Sequence, residues 1–427
     1  MYKQAGTALL AAAALLLANG CSGNSKSAAD VQADVKPPTN EPVTIKFRVN
    51  TSGYLSEDEY QKYIVEPVKK RLPHITLVKV TDPLDKLVPT GELPDISVES
   101  NNIMTPLIDF KLLYNIEPLA KQAGIDWSRF EEGSLTAIRT PSGGQLTAVP
   151  YRKNFSVNYY NKDIFDRLGV AYPKDGMSWE ETIELGKKVT RTVDGVKTYG
   201  MFADATHRLA SQLEIGFIDA KTLKPTMSTE PWKKLFAMMQ QIYGIPGNEW
   251  KDAAASGQSK FIKDKVTAMH MSTNIFNAFE NSGLNWDMVS YPTTKDNPGK
   301  AIRYDLHIMA ILNTSKHKEA AMQVASVIVS DEVQEALAKS GNTSVLKNDK
   351  FQKVFGENLP LLKGKNIGAI FKTVPANIVV PTEFEAKARD YVNGTTTKAI
   401  LEQGVDVNTA LRQADEAIAQ IIAAGKK

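Results

Sequence analysis

The chain is 427 residues long, with 42% hydrophobic and 23% charged residues. That balance excludes a disordered polymer, a collagen and a coiled coil, and the length allows two or three domains. A net charge of +3 is too small for a nucleic-acid footprint, and the single cysteine, Cys21, excludes an intramolecular disulfide and any CxxC redox or zinc site.

Residues 1–20 read MYKQAGTALLAAAALLLANG, with Lys3 as a short positive region and Ala8–Ala18 as an unbroken Ala/Leu run. The run is too short to span a bilayer, which takes about 20 apolar residues, and it fits the apolar core of a secretory signal. Leu17-Ala18-Asn19-Gly20-Cys21 resembles the lipobox of bacterial lipoproteins, in which the cysteine is lipidated and becomes the new N-terminus. Ala18 stands where that motif usually has Leu. Lipidation at Cys21 implies attachment to the cell membrane, facing outside the cytoplasm. Residues 22–42 are small and polar with two adjacent prolines. They read as a flexible tether reaching about 25 Å.

The body starts with Val43–Val49, whose alternation predicts a strand. Ser56 and Glu59 form a capping box, so a helix follows to about Leu72, where Pro73 stops it. Ile75–Val80 and Ile96–Val98 read as the next strands, and strand–helix–strand order implies a parallel α/β layer. Thr147–Pro150 and Phe155–Tyr160 read as strands interrupted by the polar stretch Tyr151–Asn154. Neighbouring Tyr159 and Tyr160 point to opposite faces of a strand, which suggests one core and one edge tyrosine rather than an iron site. Ser178 and Glu181 make a second capping box, whose helix aligns Trp179, Ile183, Gly186 and Val189. Helices are expected over 230–243 and 253–264, strands at Val266–Met271 and Arg303–Leu312, and helices from Ser315 and Ser330. After Asp406 as N-cap, Val407, Ala410, Leu411, Ala414, Ile418, Ile421 and Ile422 form one apolar stripe.

Chemistry-bearing motifs are missing. No GxSxG, GxGxxG, Walker loop or HExxH occurs, and the five histidines show no i,i+4 pair. No cofactor, metal site or catalytic residue is nominated.

Several stretches together carry a resemblance. They are Tyr160-Asn161-Lys162-Asp163-Ile164-Phe165 with Leu168-Gly169-Val170, then Tyr172–Glu181, then Thr267-Ala268-Met269 after Lys260-Phe261. Asn285-Trp286-Asp287, Tyr291-Pro292, Ser315–Ala321 and Ser330–Gln334 follow in order. The series resembles the family 1 extracellular solute-binding proteins of ABC importers, from about Val43 to the C-terminal helix.

The resemblance implies an α/β, two-lobed periplasmic-binding-protein fold of type II-like form. Each lobe holds a mixed, mostly parallel sheet flanked by helices, and chain crossings form the hinge. The expected lobes are 43–150 plus 304–342 and 155–300 plus 345–427. Crossings are expected at Tyr151–Asn154, near Arg303–Tyr304, and at Gly341–Ser344. Ligands of open α/β sheets bind beyond the carboxyl ends of strands. That rule nominates Thr51, Glu99, Ser100, Asn101, Tyr151, Asn154, Asn274, Arg303, Tyr304, Asp305 and His307. Many sugar-binding relatives have Gly-x-Trp after the Thr-Ala-Met strand. Here Phe276 or Phe384 would replace that ring. The basic residues Arg152, Lys153, His207, Arg208 and Arg303 favour an acidic oligosaccharide if they line the cleft. The implied partners are a carbohydrate and the transmembrane subunits of an ABC permease, with the chain monomeric and bound to no nucleic acid. A polysaccharide-processing enzyme and a ligand-dependent sensor partner are the alternatives.

Overall fold

The structure is a computed structural model that describes residues 41–49 and 55–425. Cys21 with the leader and most of the tether, and Thr51 within 50–54, lie outside the described residues.

Fourteen strands are named in chain order among the described residues. They are β1 (Val43–Val49), β2 (Ile75–Val80), β3 (Ile96–Ser100), β4 (Ala148–Lys153), β5 (Ser156–Asn161), β6 (Arg191–Val193) and β7 (Val196–Phe202). Then come β8 (Ile218–Asp219), β9 (Lys224–Pro225), β10 (Thr267–Thr273), β11 (Trp286–Ser290), β12 (Lys300–Arg303), β13 (Leu306–Ile311) and β14 (Val374–Ala376).

Two five-stranded sheets organise the chain. The first runs β2-β1-β3-β13-β4 and the second β11-β5-β10-β7-β6. In the first sheet β1 lies parallel to β2 and β3, while β13 runs antiparallel between β3 and β4. Every residue of β3 and β13 is buried. Strands covered on both faces tolerate near-continuous apolar sequence, as Leu306–Ile311 shows. In the second sheet β5 is antiparallel to both neighbours, and β10 is parallel to β7.

Tyr159 and Tyr160 correct the expectation of one core and one edge residue, because both are buried. Tyr159 joins Phe279 and Trp286 on one face, and Tyr160 joins Phe165 and Tyr172 on the other. Alternation holds, but a sheet between two packed layers has no edge face at β5. Trp179, Trp232 and Trp286 are likewise core residues.

Helices begin where their caps sit. Both capping boxes form, at Ser56 with Glu59 and at Ser178 with Glu181. The first helical segment reaches Arg71 but contains a wider turn over Gln61–Val65. The helix Trp179–Val189 buries Trp179, Ile183, Gly186 and Val189. The helix Val407–Gly425 buries Ala410, Leu411, Ala414, Ile418 and Ile422. No helix among the described residues is long and apolar enough to cross a membrane.

Three passages join the lobes. β4 continues through Tyr151-Arg152-Lys153, because Arg152 and Lys153 pair with β13 across a bulge at Tyr151, and only Asn154 and Phe155 separate it from β5. Tyr304 and Asp305 separate β12 from β13. The chain stays with the first lobe beyond Ser344. Glu131 N donates to Val345 O at 3.0 Å, and Lys347 N to Arg129 O at 2.7 Å. By Phe355 it has reached the second lobe, where that ring meets Phe155 edge-on at 5.9 Å.

Candidate functional site

The carboxyl end of β3 and the amino end of β13 meet where His307 pairs with Ser100. Just beyond, the second passage is held by a short polar set. Asn101 Nδ2 donates to Tyr304 O at 3.1 Å, and its Oδ1 accepts from Leu306 N at 2.8 Å. One side chain thus satisfies the backbone on both sides of Asp305. The Asp305 carboxylate accepts from Ser100 Oγ at 3.3 Å, Asn102 Nδ2 at 2.8 Å and Asn154 Nδ2 at 3.0 Å. Asp305 therefore ties the loop after β3, the first passage and the second passage together.

The second lobe brings a charged set from the segment after β7. Arg208 Nε stands 3.0 Å from Asp204 Oδ1, and Tyr291 Oη donates to Asp204 Oδ2 at 3.0 Å. Burial pushes the Asp204 carboxyl up, against the pull of Arg208. Asn393 fixes the His207 tautomer. Its Oδ1 accepts from His207 N at 3.1 Å, so its Nδ2 donates to His207 Nδ1 at 2.9 Å. The ring proton then sits on Nε2. Burial, and then Arg208, Arg303 and Arg389, push the imidazole down to about 4. Glu385 is pushed up to about 7 by burial, opposed in part by Arg303 and Arg389.

Two cavities open between the lobes, and Arg303 lines both. The narrower, about 80 Å³, is lined by Asn102, Thr105, His207, Arg303, Glu385 and Arg389, among others. It holds a few waters or one small polar group. The wider, about 330 Å³, is lined by Glu131, Lys153, Asn154, Tyr304, Asp305 and Phe371, among others. That size falls in the range of small-molecule sites.

The nominated residues divide accordingly. Asn101, Asn154, His207, Arg303, Tyr304 and Asp305 line one cavity or the other. Ser100 sits directly behind them, bonded to Asp305, while Arg208, paired with Asp204, lines neither cavity. Tyr304 lies against Gly133, and burial pushes its phenol up to about 12.

The others are placed elsewhere. Glu99 is buried in an ion pair with Arg48. Tyr151 and His307 pack against each other at 6.1 Å inside the first lobe. Phe276 stacks on Phe155 at 6.0 Å, and Phe384 is buried in the core of the second lobe, so both rings are spent on packing. Asn274 follows β10 and lines neither cavity. Arg152 is an internal tie, bonded to Asn342 Oδ1 at 2.9 Å and Glu59 Oε1 at 3.2 Å. Lys153, by contrast, lines the wider cavity, where it pairs with Glu131.

Sequence reasoning missed Asn102, Asp204, Glu385, Arg389 and Asn393. Asn102 was one residue beyond a nominated stretch. Glu385 and Arg389 follow no strand, so the carboxyl-end rule had no purchase on them.

Comparison with known proteins completes the picture. The family model for bacterial extracellular solute-binding proteins matches residues 44–353. An ABC substrate-binding protein of Listeria monocytogenes, solved with cycloalternan, superposes with a TM-score of 0.71 at 18% identity, covering 89% of this chain and 99% of that one. A sugar transporter of Rhizobium etli in an open conformation gives 0.73 at 18% identity, over 88% and 99% of the two chains. The sugar-binding protein MalE of Xanthomonas citri gives 0.71 at 16% identity, over 90% and 98%. The sn-glycerol-3-phosphate-binding periplasmic protein UgpB of Agrobacterium fabrum is 30% identical over 78 residues, which span 17% of this chain and 18% of that relative. The architecture is the two-lobed periplasmic-binding-protein fold. With the family match running through both sheets, this chain belongs to the bacterial extracellular solute-binding proteins.

Proposed function

We propose that this protein is a lipid-anchored receptor of an ABC importer. Cys21 carries the lipid, residues 22–42 hold the body off the membrane, and the body acts as a monomer. It captures a carbohydrate between the lobes and hands it to the permease chemically unchanged. The observation that carries this reading is the polar set around Asp305. It lies on the passage between the sheets, so a ligand bound there touches both lobes at once. Solved neighbours carrying cycloalternan, mannobiose or maltose support a sugar as the class of ligand. Basic side chains at the cleft favour an acidic sugar over a neutral one.

Two measurements test this. A thermal-shift screen of oligosaccharides should give a saturable rise in melting temperature, and mass analysis should return the hit intact. No hit, or a cleaved one, overturns the receptor reading. Cys21→Ser should leave an unprocessed precursor or release the protein to the medium. Membrane retention of a processed Cys21→Ser protein would overturn the lipid anchor.

A further inference from the structure

We infer that His207 and Arg303, together with the 385–391 segment and with Arg208 next to His207 in the chain, form a subsite for an oxyanion carried on the sugar. This inference rests on the carbohydrate reading and adds which group of the sugar is gripped.

Three observations lead to it. The first is unspent donors. Arg208, next to His207 and outside the cavity lining, has Nη2 shut off from solvent with no hydrogen-bond partner. The guanidinium of Arg303 meets no acceptor among the described residues; only its backbone nitrogen is engaged, donating to Ser211 Oγ at 3.2 Å. His207 keeps its ring proton on Nε2, because Nδ1 accepts from Asn393. Buried donors without partners need a ligand or water to satisfy them.

The second is the local charge balance. Arg208, Arg303 and Arg389 face Asp204, Asp305 and Glu385. Asp204 and Asp305 already accept from neutral donors, Tyr291 Oη in one case and Ser100, Asn102 and Asn154 in the other. Glu385 Oε2 is buried and unpartnered, and no arginine salt-bridges it among the described residues. Arg389 spends two nitrogens on the neighbouring Asp390. Asp305 and Glu385 act on Arg303 through charge without hydrogen-bonding its guanidinium, so its donors stay open to the cavity it lines.

The third is shape. The cavity is the narrower of the two, about 80 Å³, and is large enough for one carboxylate or sulfate. Phe217 is the only phenyl or indole ring lining it among the described residues. A neutral pyranose is normally held partly by ring stacking, whereas this wall offers guanidinium groups that read oxyanions bidentately. Asn102 Oδ1, buried and unpartnered beside it, is placed to accept from an adjoining sugar hydroxyl.

The test uses the full chain and matched pairs of oligosaccharides differing only in the charged group. The pairs are galacturonate against galactose, glucuronate against glucose and mannuronate against mannose, with sulfated galactose as a second oxyanion source. Titration calorimetry should find its best ligand among the acidic members, at least tenfold tighter than the neutral partner. Raising salt should narrow that ratio. Arg303→Gln should bring it close to one, by weakening the acidic member far more than the neutral one. Arg389→Gln, on a more exposed segment, should shift the ratio less and serves if Arg303→Gln fails to fold. A sulfated hit with no uronate hit assigns the source of the oxyanion and leaves the subsite standing. A neutral ligand bound as tightly as its acid overturns the subsite and leaves the receptor reading intact. No binding by any sugar overturns both.

Discussion

Asp305 spends its carboxylate on three neutral side chains from two different segments. Removing one of them should be felt at the cleft. In Asn154→Ala the carboxylate loses its 3.0 Å donor. A lost hydrogen bond of this kind costs about 1–2 kcal/mol, so ligand affinity should fall by roughly tenfold, read by titration calorimetry. Wild-type affinity would mean that Asp305 holds its position without Asn154. His270 offers a prediction away from the site. Its ring lies 5.4 Å from Phe261, its Nδ1 is buried without a partner, and burial pushes it down to about 4. The folded state keeps the ring neutral, while the unfolded chain takes up a proton below about 6.5. Stability is therefore lost as pH falls from about 6.5 to about 4, by at most about 3 kcal/mol from this one ring. His207 and His307 are pushed the same way. His270→Phe should flatten part of the acid limb of a plot of melting temperature against pH, leaving a residual slope. An unchanged limb would show that His270 is free to protonate in the folded protein.

At the scale of elements, the helix Glu132–Arg139 lies against the second passage through one glycine. A Cβ on Gly133 would meet Tyr304 Oη at 2.2 Å, so the ring occupies the space a side chain would need. Gly133→Ala should push Tyr304 out of its seat. The variant should melt lower by about 1–3 kcal/mol of stability, the usual cost of overpacking, and bind ligand more weakly. A variant melting like wild type would mean that the passage yields freely. Elements of this kind were legible to different degrees. Strands with one clear period, such as Val43–Val49 and Ile75–Val80, and helices with a capping box were readable because local chemistry decides them. β4 was misread at Tyr151-Arg152-Lys153 because polar residues inside a strand look like a loop. Arg152 is buried there by Glu59 and Asn342, partners 93 and 190 residues away that no local pattern reveals. The cleft was half legible for the same reason. Asn101, Asn154 and Asp305 follow or precede strands, whereas Phe276 and Phe384 carry the right chemistry but are claimed by neighbouring cores.

At the scale of the molecule, a ligand that bridges the lobes should bias their separation. If it binds only the closed form, it stabilises the protein by about 2.7 kcal/mol at a hundredfold excess over Kd. The radius of gyration in solution scattering should shrink on adding the cognate sugar. A tight ligand that leaves the scattering curve unchanged would locate binding on one lobe alone.

The antiparallel insertion of β13 between β3 and β4 also sets a timetable for synthesis. The first sheet takes β1 to β4 from the early part of the chain, but its fourth position stays vacant until Ile311 has emerged from the ribosome. During that interval β3 presents an unpaired edge, and the whole of the second lobe's β5–β11 is being made. The first lobe thus cannot lock before the second has been largely translated. A chain exported before that point would reach its channel with the first sheet still open between β3 and β4.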